Sequence, residues 1–192
     1  MRWKSVLVGA AITAAAFTTA GRVFSGDQPS GPPMPSPEEL KMMKPGPEHE
    51  RLGATAGTWE GKGTYMGATW TSELKGRMVM GGRFLQLNET MTIPGAPEPM
   101  HMLMYVGFDN LKQKYVTFGV SEMGTGFMTA EGTYDAAKKG IEMRGSEPRP
   151  GGKQATFHYT VSDPADGAFR IDMYMDDGSG DKQMMVAEYK KK

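Results

Sequence analysis

The chain has 192 residues, 22 of them basic and 22 acidic, with 26 glycines, 13 prolines, 18 methionines and no cysteine. That length suits one domain with a real core, and a formal charge of zero argues against a protein built to track nucleic acid or an anionic membrane. Without cysteine there is no disulfide framework, thiolate nucleophile or cysteine-bound zinc, and abundant glycine and proline favour short strands joined by tight turns.

Residues 1–25 read as an export signal. Arg2 and Lys4 precede an apolar run over residues 6–20, and Ala20 and Ser25 offer small-residue cleavage sites. The run is short for a bilayer span, so the expectation is a periplasmic or secreted protein with no membrane span after signal cleavage. Residues 26–36, GDQPSGPPMPS, form a linker too rich in proline and glycine for regular structure. The barrel domain is then expected over residues 37–192.

Its first part, residues 37–56, predicts helix in two pieces. Ser36 can cap, Pro37 suits a first turn, Glu38 and Glu39 favour the positive end, and Pro45-Gly46-Pro47 interrupts. Short helices ahead of a strand series serve well as a lid or plug. From residue 57 extended runs alternate with turn signals, which predicts strands near 57–66, 68–80, 82–92, 100–108, 113–122, 125–134, 140–146, 153–162, 168–176 and 181–189. Two hairpins share the order glycine, aromatic, aspartate, short loop and lysine, so Asp109 and Asp135 read as residues closing their own turns.

Period-two alternation places Trp70, Leu74, Met78 and Met80 on one face of their strand, Phe157, Tyr159 and Val161 on another, and Phe169, Ile171, Met173 and Met175 on a third. About ten antiparallel strands, each with one apolar side and no second layer to cover it, are best satisfied by a closed up-and-down barrel. The fold class is therefore all-β, with one or two short N-terminal helices.

Several segments resemble a known family. GTWEGKGTY at 57–65, MVMGGRFLQ at 78–86, VGFDNLKQKYV at 106–116, MGTGFMTAEGTYD at 123–135 and AEYKKK at 187–192 together resemble the bacterial family called domain of unknown function 1579, over roughly residues 37–192. The resemblance implies a family but no activity. More distantly, Gly57-Thr58-Trp59 after a short helix looks like the first-strand signature of lipocalin and calycin barrels. Nitrobindin-like haem barrels offer a further comparison, but their haem ligand is a histidine near the C-terminus, whereas the last histidine here is His158.

No catalytic constellation emerges from the motifs. His49-Glu50 lacks the second histidine of a zinc-protease helix, and no phosphate loop, dinucleotide fingerprint or nucleophile elbow is present. Three histidines, His49, His101 and His158, are too scattered for a triad or a three-histidine metal site, and His158 is expected to face solvent. Asn88-Glu89-Thr90 fits a glycosylation pattern, read as chance in a chain that resembles a bacterial family. Arg83 follows two glycines and reads as a hairpin-closing residue, with an anion contact as its alternative.

On a strand, Met100, Met102 and Met104 share one face and His101 the other, which splits an apparent soft-metal motif. Methionines spread over most strands instead suit a flexible apolar wall. The reading is thus an exported lipocalin-like barrel that binds a small apolar or amphipathic molecule, with Trp59, Trp70, Met78, Phe118, Phe157, Tyr159 and Met173 lining the interior. The alternatives are an enzyme built on a polar cluster within the barrel, and Cu(I) binding through Met100, Met102 and Met104. No cofactor is identifiable, nucleic acid is not an expected partner, and oligomeric state is not legible.

Overall fold

Alternating apolar and polar residues leave each strand with one side to bury, and ten such strands bury it by closing on themselves. A computed structural model describes residues 34–149, 153–176 and 178–192. The predicted signal at 1–25 and most of the predicted linker lie outside the described residues.

Two short helices come first, α1 (Pro37–Met42) and α2 (Pro47–Gly53). Ser36 caps α1 as expected: its hydroxyl accepts from the Glu39 backbone N–H at 3.2 Å, and the Glu39 carboxylate accepts from the Ser36 N–H at 2.6 Å. Ten strands follow: β1 (Gly57–Tyr65), β2 (Ala68–Val79), β3 (Phe84–Thr92), β4 (Met100–Asp109), β5 (Lys114–Ser121), β6 (Met128–Asp135), β7 (Gly140–Arg149), β8 (Lys153–Ser162), β9 (Ala168–Asp176) and β10 (Lys182–Lys191). Each pairs antiparallel with its chain neighbours, and β1 pairs with β10 to close the barrel.

The turns follow the sequence signals. Asp109 Oδ1 accepts from the N–H groups of Leu111 and Lys112 at 2.9 and 3.1 Å, and Asp135 Oδ1 accepts from those of Ala137 and Lys138 at 2.9 and 3.2 Å. Arg83 takes the structural role, donating to the Met43 carbonyl at 2.8 Å and the Met80 carbonyl at 3.1 Å, which ties the end of α1 to the β2–β3 turn. Met80 departs from expectation. The strand stops at Val79, Met80 turns the chain with φ of 51°, and its side chain is exposed rather than on the inner face. The strand predicted at 140–146 extends to Arg149, because Pro148 still pairs with Gln154 at the hairpin end.

One end of the barrel is closed by α2. Leu52 and His49 are buried there, and the His49 ring meets Phe108 edge-on at 6.1 Å. Tyr115 donates to the Glu48 carboxylate, and Arg51 lies 3.5 Å over the Tyr134 ring while reaching Asp163 at 3.3 Å. The helix thus acts as the plug that its position suggests.

Candidate functional site

Register decides which side chains enter the barrel. Trp59 pairs with Leu74, Leu74 with Glu89, Glu89 with Met102 and Met102 with Ser121, so these positions share the inner face. Continuing round, Val106, Thr117, Ala130 and Gly145 form a second inner row, and Met143, Tyr159 and Met173 a third.

The interior is unevenly packed. Trp59, Trp70, Leu74, Leu85, Leu87, Ala187 and Tyr189, from β1, β2, β3 and β10, are buried. Across the barrel, buried Tyr115, Met143, Phe157 and Met175 alternate with inward-pointing Met104, Val106, Met128, Tyr159, Val161, Ile171 and Met173, which keep accessible surface. Tyr159 carries both properties: it sits in the middle of β8, burial pushes its phenol up to about 12, and its hydroxyl donates to Thr117 Oγ1 at 3.1 Å.

A polar cluster stands among the buried residues. Glu89 is 3% exposed, and both Ser72 Oγ and Tyr189 Oη donate to its Oε1, at 2.6 and 2.9 Å. Burial raises the Glu89 carboxyl above its ordinary value, the two hydroxyls opposing that shift in part. Tyr189 is itself held well above the usual phenol range by burial and by the neighbouring carboxylate. Gly61 makes the arrangement possible, because a Cβ there would lie 2.3 Å from Ser72 Oγ and 2.8 Å from the Tyr189 ring. Nearby, Trp70 is tilted against Tyr189 with ring centroids 6.3 Å apart, and its buried Nε1 has no hydrogen-bond partner among the described residues.

The expected lining residues are dispersed. Phe157 and Tyr159 stack at 6.3 Å on β8, with Met173 opposite Tyr159 on β9, so these three come together. Trp59 instead fills the plugged end, edge-on to Phe169 at 4.9 Å with its indole N–H donated to the Thr55 carbonyl at 2.9 Å. Met78 lies under α2 near Gly53, and Trp70 lies toward the other end. Phe118 must be corrected: it is 40% exposed on the outer face, against Phe127 at 5.0 Å. Its strand presents Tyr115, Thr117 and Gly119 inward, and Met104 and Met128 take the space beside Gly119.

Met100, Met102 and Met104 share the inner face of β4, while His101 points outward, its ring Nδ1 3.2 Å from the Thr90 hydroxyl. His158 also faces outward, stacked on Tyr174 at 5.1 Å. Outside the barrel, a shallow groove of about 550 Å³ crosses β5, β6 and β7 between Lys112, Glu131 and Arg144.

Sequence reasoning missed Glu89, Ser72, Tyr189 and Thr117. Strict alternation of Leu85, Leu87, Glu89 and Met91 puts a carboxylate on an apolar face, and that signal was available in the FLQLNETMT stretch.

A family model described as protein of unknown function (DUF1579) matches residues 44–191. The chain belongs to the DUF1579 family. The match takes in α2 and nearly all of the barrel, so the plug is part of the family's common domain. The DUF1579 barrel is also similar to the crystal structure of Rv2717c from M. tuberculosis, with a TM-score of 0.56 and 16% identity over 78% of this chain and 99% of that one, a likeness of fold. No curated protein matches the chain.

His49 in α2 is expected to make the stability of this DUF1579 barrel depend on pH. Burial is the main cause that lowers its pKa from 6.5; the charges of Arg83 and Glu48 act in opposite directions, and a bond to the Phe108 backbone resists the shift. The unfolded chain therefore takes up this proton near pH 6.5 while the folded chain resists it, so the contribution is complete above that value and is lost as pH falls toward the folded value. Urea midpoints measured from pH 8 to pH 5 are expected to fall less steeply in His49→Gln than in the parent; equal slopes would exclude His49 as a source.

Proposed function

We propose that the barrel binds a small apolar or amphipathic molecule in its interior and acts as an exported carrier or receptor for it. The observation that supports this is the wall of Met104, Val106, Met128, Tyr159 and Met173. These side chains point into a closed barrel yet keep accessible surface, as side chains bordering an unfilled lumen do. Methionines suit such a wall because an unbranched, polarizable side chain can follow ligands of different shape.

Native mass spectrometry of protein purified from its own host tests the reading. The expected result is a stoichiometric organic molecule that denaturation releases, and substitution of Met173 by Trp is expected to reduce its occupancy by filling the same space. A bare mass in repeated preparations, with Met173→Trp as stable as the parent and no apolar probe bound, would sink it.

The buried Glu89 cluster favours a second reading, catalysis inside the same barrel, because a carboxyl whose pKa is raised by burial, held by two hydroxyls, is the kind of group that serves as a general acid or base. Incubating the released molecule with fresh protein separates the two: a changed mass marks turnover, and an unchanged mass with rebinding marks a carrier.

A further inference from the structure

The Glu89 carboxyl lacks a counter-charge. It is surrounded by Ser72 and Leu74 from β2, Met102 from β4 and Tyr189 from β10, with Gly61 of β1 beneath the two hydroxyls. Of these only Tyr189 titrates, and it stays protonated. No described basic side chain pairs with Glu89, and both donated hydroxyls reach the same oxygen, Oε1. Oε2 is left without a hydrogen-bond partner among the described residues, on the inner face of the barrel. A buried carboxylate without a cation is costly, and a cation brought by a ligand would remove that cost.

A second unsatisfied group lies on the same side. The Trp70 indole N–H is buried, adjoins Tyr189 and has no acceptor among the described residues. A carboxyl oxygen without a donor, on the inner face beside Tyr189, is the polar complement of a donating head group on an apolar ligand.

We propose that the interior selects a small amphiphile with a protonated amine at its polar end, the ammonium donating to Glu89 Oε2 and the apolar body lying against the methionine wall. The proposal rests on the interior-binding reading above. The bonds from Ser72 and Tyr189 hold the carboxylate in one orientation, so the ligand meets a fixed acceptor.

Calorimetric titration of the full-length chain with n-octylammonium chloride, n-octanol and sodium octanoate tests it. At pH 8 the ammonium is expected to bind about tenfold or more tightly than the alcohol, the scale of a charge-assisted hydrogen bond, and the carboxylate more weakly than the alcohol. Glu89→Gln keeps an oxygen for Ser72 and Tyr189 but removes the charge, and is expected to erase the preference for ammonium. In the parent protein the preference is also expected to shrink at pH 5, where Glu89 is protonated more readily; this series decides the matter even if the variant fails to fold.

An ammonium bound no better than octanol, or an equal preference in Glu89→Gln, would overturn the proposal and leave interior binding standing. If none of the three probes binds at either pH, both fall.

Discussion

Replacing Trp59 with alanine is expected to lower the unfolding free energy by about 3–5 kcal/mol, the range for deleting a large buried aromatic. The indole is 1% exposed, sits edge-on to Phe169 at 4.9 Å, and donates to the Thr55 carbonyl just before β1. Its loss would open a hole at the plugged end and free the segment that joins α2 to the barrel. For a domain of this size the melting temperature should fall by on the order of 10 °C. Trp59→Phe keeps a ring against Phe169 but leaves the Thr55 carbonyl without its donor, so its loss should be nearer ~1 kcal/mol. Chemical denaturation of both variants checks the ordering, and a Trp59→Ala protein within experimental error of the parent would contradict this account of the closed end.

Gly61→Val is expected to have the second large effect, and it should reach the polar cluster directly. The first atom of any side chain there would stand 2.3 Å from Ser72 Oγ and 2.8 Å from a ring carbon of Tyr189, so both hydroxyl donors must move off Glu89. Overpacking of this kind costs about 1–3 kcal/mol, occasionally more. A carboxyl deprived of its two donors adds a further penalty at pH 8. Less stability should therefore be lost at pH 5 than at pH 8, because protonation relieves the stranded charge. A loss independent of pH would show that the valine is absorbed without disturbing Glu89.

The barrel was legible because its evidence is periodic. In AFRIDMYMD the apolar residues recur at every second position, and the structure places Phe169, Ile171, Met173 and Met175 on the inner face, with Arg170 paired to Asp172 outside at 2.6 Å. Turn chemistry was equally readable, since Asp109 and Asp135 act within two or three residues of themselves.

The interior was harder to read. In KYVTFGVS both parities carry apolar side chains, Tyr115 on one and Phe118 on the other, so alternation cannot choose. The choice is made by neighbouring strands: Val106 and Ala130 flank Thr117, and inward Gly119 yields its space to Met104 and Met128. The inward place of Glu89 follows from alternation, but its hydrogen-bond partners do not. Its two donors lie 17 and 100 residues away along the chain, and only closure of the barrel brings Tyr189 to it.

That closure also joins the two ends of the barrel domain. The β1–β10 ladder pairs Trp59 with Lys191, so the second edge of the first strand is covered only by the last. Without that seam the barrel would be an open sheet whose two edges, β1 and β10, both offer unpaired backbone groups to other molecules. Long-range pairing of this kind is slow, and the seam is the step at which assembly competes with aggregation. A chain lacking β10 would be left as such an open sheet, and Glu89 would lose the Tyr189 hydroxyl that the last strand brings to it.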